Sequence, residues 1–382
     1  MDNRNIGLDV IRTIAIFMVI VSHGRHILHF DSVIFGQGLW RLSIFGYYGV
    51  ELFFVLSGFL IGRILVDMFV WGGSTVPLKE LEMFWIRRWF RTLPLYYLML
   101  AVNIAYNMGL PYMTNWYYAG EKYNSLYLCF LQNYGDNNMA FFPESWSLAV
   151  EEWFYLLFPL VMFLAIPGCN KYLKKIDEEN RDKLFFVYVC FLVIVLINLA
   201  RLVYTLAYNP SWGLGIRANI FLRFDSILVG VVLAYLCVNK RDVFVYLSNK
   251  KYMFLGIIIV LLVSLYYWII GPDSFSYRIF PRTLMMPLIS LSFALLVSKV
   301  YFLKINGKIA SIFTLTSKIS YSIYLIHYPL FQLAWYHTLR IDDMWLKLAV
   351  LIFTTTLVYL ISFLCYRFYE KPVMDLRELI RV

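Results

Sequence analysis

The chain has 382 residues, of which 61% are hydrophobic and 19% aromatic, with a mean hydropathy of +0.67. Charged residues make up 15%, against roughly 25% in a soluble globular domain, too few to cover the two or three domains that about this length would otherwise form. This excludes a soluble enzyme, a disordered chain and a fibrous repeat, and leaves a polytopic membrane protein.

A membrane span needs about 20 apolar residues. Ten segments supply them, near 7–28, 47–66, 89–107, 147–167, 184–206, 218–238, 253–270, 283–303, 317–337 and 345–366. The sixth is the weakest, because Arg223 and Asp225 interrupt it. The first holds Asp9 and Arg12, lacks a small-x-small cleavage site and leads into His23 and His26, so it is expected to remain as a span and not to be removed as a signal peptide. With the N-terminus inside, 23 of the 34 Lys and Arg fall in inner segments and 8 in outer ones, while Arg12, Arg201 and Arg223 stay within spans. The positive-inside rule then predicts an all-α polytopic bundle of about ten transmembrane helices with N- and C-termini cytoplasmic, multi-pass in the cell (inner) membrane. The net charge of +10 is mostly that topology, so the lipid bilayer and no nucleic acid is the expected partner. The five cysteines show no CxxC spacing and read as packing residues. No internal repeat and no appended soluble domain is visible, so a single membrane-embedded domain over 1–382 is expected.

Ionisable side chains inside spans are costly and point to function. Arg12 and His23 are eleven residues apart, about three helical turns, which returns them to nearly one face. The alternative is a buried Asp9–Arg12 pair at i, i+3 with an interfacial histidine. His23, His26 and His29 drift around the helix and lack a carboxylate at zinc-motif spacing, so no metal is expected. In the second span Ser57 and Gly58 read as small packing residues, and no Gly-x-Ser-x-Gly elbow marks Ser57 as a nucleophile. The third opens on Arg87, Arg88 and Arg91, whose i, i+3 and i, i+4 spacing lets guanidinium groups converge on a phosphate.

The outer segment 108–146 carries Tyr112, Trp116, Tyr117, Tyr118, Tyr123, Tyr127, Tyr134, Phe141 and Phe142, either an interfacial aromatic belt or a stacking surface for sugar rings. In the fourth span the adjacent Glu151 and Glu152 are expected to line a polar cavity at the depth of His23, where a carboxylate would orient a histidine base. Arg223 and Asp225 in the sixth span, and Tyr324 and His327 in the ninth, fit either an interior ion-pair network or a substrate channel.

Read in order, these pieces resemble the acyltransferase-3 family of integral membrane O-acyltransferases. The match runs over about residues 6–375: Leu8-Asp9…Arg12…His23, the block Gly49–Ile61, Arg87–Leu98, Trp146–Tyr155, Arg223–Asp225, Ser320–Pro329 and Tyr369–Pro372. The resemblance implies ten spans with both ends inside, an acyl-CoA donor (acetyl-CoA by default) from the cytoplasm and a hydroxyl acceptor, such as a surface glycan, on the outer side. It assigns His23 as the catalytic residue with Arg12, Glu151 as its motif glutamate, and the paired arginines as Arg87 and Arg91. Combined with the residue reading, Arg87, Arg88 and Arg91 would hold the nucleotide phosphates and His23, oriented by Glu151 or Glu152, would act as base or acyl relay. Arg223, Tyr324 or His327 would serve as oxyanion donor. Asp9 and Asp225 complete the candidate set. A second reading is a multi-pass carrier of a polysaccharide precursor or small solute, with its intramembrane charges as a proton relay. Corresponding broken helices in two halves would mark such a carrier, and none is seen. The sequence leaves acceptor, acyl group and oligomeric state open.

Overall fold

The computed structural model describes residues 4–28, 41–72, 76–109, 125–134, 141–172 and 177–377. Among them no strand occurs, and ten helices of 16 residues or more carry the fold. In hydrocarbon every backbone N–H and C=O must be satisfied within the chain, and a helix does so segment by segment. We number them α1 (Ile6–Gly24), α2 (Ser43–Val66), α3 (Leu78–Gly109), α4 (Ser145–Tyr172), α5 (Glu178–Tyr208), α6 (Phe224–Asn239), α7 (Lys250–Ile270), α8 (Met285–Val300), α9 (Gly307–Thr338) and α10 (Met344–Cys365). Side-chain caps start several of them: Asn5 accepts from the Leu8 amide at 3.2 Å, and Asp343 from the Trp345 amide at 2.7 Å.

Seven helices are long and apolar enough to cross a membrane, namely α1, α2, α4, α5, α7, α9 and α10, the second and last continuing through π-helical turns. The other three expected spans lie on the charged α3 and on the 16-residue apolar α6 and α8. The chain is thus an all-helical, multi-pass membrane protein. Helix α2 is the centre, with 67% of its apolar window buried, whereas α7 and α10 bury only 17% and turn Leu, Ile and Phe side chains outward. Helix α2 packs along α6, α1 and α8, α1 also meets α9, and α9 meets α10.

The α2–α6 crossing is close because Gly58 faces Gly230. A Cβ at Gly230 would overlap the Val55 carbonyl oxygen, and one at Gly58 the Ile227 carbonyl oxygen. Backbone cannot swing aside as a side-chain end would, so Gly230→Ala should cost about 1–3 kcal/mol of stability, as overpacking does. A thermal unfolding midpoint in detergent equal to that of the wild type would contradict this packing.

Candidate active site

A cavity of about 100 Å³ opens between five helices. Arg12 of α1, Ser57 of α2, Arg88 and Arg91 of α3, Ser147, Glu151 and Tyr155 of α4, and Tyr324 of α9 all line it. Each set follows helical spacing: Arg88 and Arg91 are i, i+3, and Ser147, Glu151 and Tyr155 are four apart along one face. Arg87 is 100° of helix rotation from Arg88, is exposed and does not line the cavity. It therefore leaves the expected trio, and Arg12 takes its place among the converging guanidinium groups.

Arg12 is available because Asp9 pairs elsewhere. The extended segment before α1 folds Arg4 back, and its Nε and Nη2 reach the two Asp9 carboxylate oxygens at 2.7 Å each, with the Thr314 hydroxyl donating to the same carboxylate at 3.2 Å. The alternative reading, an i, i+3 pair of Asp9 with Arg12, is therefore not what forms. Arg12, Arg88 and Arg91 form no salt bridge among the described residues. Glu151 instead accepts from the Tyr155 hydroxyl at 3.1 Å, and Tyr155 shares a further short hydrogen bond with Ser57. Ser57, read from sequence as packing, is a wall of the cavity.

Tyr324 stands between this cavity and the histidines. Its hydroxyl is 2.7 Å from Ser147 Oγ and donates to the Glu144 carbonyl at 2.9 Å, while its ring lies 5.9 Å from that of His327. His327 Nε2 is 2.8 Å from His23 Nδ1, with the two rings stacked at 5.0 Å. His23 also lines a second, smaller cavity with His26, Tyr328 and Gln332. The expected partnership of His23 with Glu151 or Glu152 is not what the fold builds. Helix α4 already begins at Ser145, so Glu151 lies about 9 Å further along its axis, among the arginines. Glu152 is buried behind it, off both cavities. The residue that does hold His23 is His327, 304 positions further along the chain on α9.

Arg223 and Asp225 resolve as an ion-pair network. Arg223 pairs with Glu51 and Arg201 with Asp225 at 2.5 Å, all four side chains with no exposure. Ser290 donates to Glu51 at 3.0 Å and Arg201 to the Leu222 carbonyl at 2.9 Å. None of the four lines either cavity. This excludes Arg223 as an oxyanion donor beside His23. Glu51 as the partner of Arg223 and Arg201 as the partner of Asp225 were not picked out from sequence, although a lone carboxylate inside an apolar block is the signal that would have found Glu51.

Among the described residues no group of three His, Cys, Asp or Glu could hold a metal. His29 and the aromatic residues Tyr112, Trp116, Tyr117, Tyr118 and Tyr123 lie outside the described residues. Of the other loop aromatics, Tyr127, Phe141 and Phe142 are buried in the core, while Tyr134 is exposed against Phe221.

The chain matches the acyltransferase-3 family model, described as an acyltransferase domain, over residues 5–367. It is 25% identical to the O-acetyltransferase OatA of Staphylococcus aureus (strain NCTC 8325 / PS 47) over 397 aligned residues, covering 96% of this chain and 57% of that protein. It is 28% identical to the putative peptidoglycan O-acetyltransferase YrhL of Bacillus subtilis (strain 168) over 255 residues, covering 62% of this chain and 34% of that protein. The match thus spans little more than half the length of OatA and about a third of that of YrhL, and no solved structure matches the chain. With the whole helical bundle inside the matched span, the chain belongs to the acyltransferase-3 family.

Proposed function

We propose that the chain is a membrane O-acyltransferase that moves an acetyl group from cytoplasmic acyl-CoA to a hydroxyl of an extracytoplasmic, cell-wall-type glycan. The observation that carries this reading is the convergence of Arg12, Arg88 and Arg91 on one cavity with no fixed carboxylate at ion-pair distance, linked through Tyr324 to the His23–His327 pair. Three guanidinium groups facing a single carboxylate, Glu151, leave the cavity an excess of positive charge that suits a polyanion, and arginine suits phosphate because its planar fork binds two oxygens at once. The ten helices would all span the bilayer with both termini cytoplasmic, consistent with the charge bias of their connections and with arginines at the inner end. The donor's phosphates would sit by Arg88 and Arg91, and its thioester arm would run past Arg12 toward Tyr324.

At the far end His23 takes the proton from the acceptor hydroxyl as that oxygen attacks the thioester carbonyl. The C–S bond breaks, the C–O bond remains, and His23 returns the proton to the departing thiolate. The Tyr324 and Ser147 hydroxyls stand where a carbonyl entering from the inner cavity would pass, and Tyr324 would serve as its donor by turning its proton from the Glu144 carbonyl to the developing oxyanion. Glu151 would hold the Ser57–Tyr155 hydroxyl pair in place and not touch His23. The relatives' printed names, O-acetyltransferase and peptidoglycan O-acetyltransferase, agree with acetyl as the group and a wall glycan as the acceptor.

Acetyl-CoA tests the donor site directly. At about 100 times Kd it should stabilise the purified protein by about 2.7 kcal/mol, seen as a rise in unfolding temperature. Free adenosine should give no rise, and Arg91→Ala should abolish the response to acetyl-CoA. An unchanged response in that variant would remove the cavity from the donor path.

A further inference from the structure

The contact between His23 and His327 does more than hold two rings together. Nδ1 of His327 lies 3.1 Å from the carbonyl oxygen of Ile323, one turn back along α9. A carbonyl oxygen only accepts, so the contact requires a proton on Nδ1. In a neutral imidazole the other nitrogen is then bare. Nε2 of His327 is the atom 2.8 Å from Nδ1 of His23. That second contact is a hydrogen bond only if His23 donates, so the proton of His23 sits on Nδ1 and its Nε2 carries none.

The neutral state of the pair follows from its surroundings. His327 has no exposure, and the rings around it are Tyr324, Tyr328 and Phe331. Arg25 and Arg217 stand near His23, and both are cations. An imidazolium buried beside further positive charge, with no carboxylate bonded to either ring among the described residues, would be costly. The relay therefore runs one way, Ile323 carbonyl, His327, His23, and ends on a bare nitrogen of a ring that lines the outer cavity.

We propose that His327 is a positioning residue that fixes His23 as its Nδ1–H tautomer through the Nε2–Nδ1 contact, making Nε2 of His23 the atom that accepts the acceptor's proton. This rests on the acyl-transfer reading of His23 and sharpens it to one atom. A histidine free in water prefers its proton on Nε2, the tautomer that cannot act as base at that atom. His327 holds the less common form, and the backbone of α9 sets it. The proton gained at Nε2 makes His23 a transient imidazolium that still donates from Nδ1 to His327 and loses that same proton to the leaving thiolate. No charge remains on the pair after turnover.

The test reads the tautomer and the activity separately. Full-length protein labelled with ¹⁵N-histidine in lipid nanodiscs, with His23 assigned from a His23→Ala spectrum, should show Nδ1 of His23 protonated and Nε2 bare. His327→Leu removes the acceptor, so His23 should shift to Nε2–H. Its kcat, measured with acetyl-CoA and a chitopentaose acceptor, should fall about 100-fold with KM for acetyl-CoA unchanged. His327→Gln keeps an acceptor oxygen and should recover at least a tenth of the wild-type kcat and the Nδ1–H signature. A wild-type spectrum with Nε2 of His23 protonated overturns the proposal, as does a His327→Leu protein with wild-type kcat. If His327→Leu does not fold, the wild-type spectrum and His327→Gln still decide it. The expected tautomer in a protein that transfers no acetyl group would instead count against the acyl-transfer reading alone.

Discussion

A His23→Ala protein is expected to lose acetyl transfer by about 10²- to 10⁴-fold, the range that a positioned general base supplies, while still being stabilised by acetyl-CoA. The two halves of this expectation come from separate places in the bundle. Arg88 and Arg91 stand on α3 and Arg12 three turns from His23 on α1, so truncating the imidazole leaves the arginine-lined cavity with its full charge. His23 lines only the second, smaller cavity and connects to the arginine-lined one through His327 and Tyr324. Labelled acetyl transfer to glycan, measured beside the acetyl-CoA thermal shift, reads both halves. Transfer within threefold of wild type would end the assignment of His23 as base. Loss of the thermal shift together with transfer would show that His23 supports the whole bundle instead.

The reverse pattern belongs to the arginines. Arg12 lines the arginine-rich cavity without an ion pair, so its loss should appear chiefly as weaker acetyl-CoA binding and leave the His23 tautomer untouched. That separation distinguishes a donor cavity from a single continuous proton relay, which the carrier reading would require.

The helices were legible in the amino-acid order because hydropathy over about 20 residues is a one-dimensional property. All ten expected segments coincide with long helices, and even α3, whose arginines lower its hydropathy, was marked by its apolar second half. Arg12, Arg88 and Arg91 were legible too, since charges within or beside spans are rare enough to stand out. What failed was partner choice. Asp9 pairs with Arg4 because a non-helical residue can fold back over the helix start, which no periodicity anticipates. Arg87 and Arg88 are adjacent in sequence yet 100° apart in direction, so only one enters the cavity. Glu151 was placed too near His23 because its depth depends on where α4 begins, and Ser145 starts it two turns earlier than Glu152. His327 was noticed as a polar residue of its span, but its place opposite His23 depends on how α1 and α9 lie against each other. A single chain read without homologues carries no such distance.

The largest effect on stability is expected from Glu51→Ala. Glu51 and Arg223 are fully buried between α2 and α6, and the Glu51 carboxylate also receives the Ser290 hydroxyl at 3.0 Å. Without Glu51, Arg223 would keep the contacts to Met286 Sδ at 3.1 Å and Ser226 Oγ at 3.4 Å, and the nearby Asp225 carboxylate is already bonded to Arg201. Breaking a buried pair by removing one partner costs about 3–5 kcal/mol, because the charge left behind has lost both water and its counter-ion. Replacing both partners with apolar side chains of similar length removes that stranded charge, so Glu51→Met with Arg223→Met should recover most of the loss. Unfolding in detergent, read for both single variants and the double one, gives the coupling directly. If the double variant is no more stable than the worse single one, the pair is not the unit that the geometry indicates. The neighbouring Arg201–Asp225 pair, 2.5 Å apart and equally enclosed, should behave alike. Both pairs stay closed because each charge is bonded to its opposite, whereas Arg12, Arg88 and Arg91 face a cavity with only Glu151 beside them and form no salt bridge among the described residues. That contrast separates the charges that hold this bundle together from those left to meet a substrate.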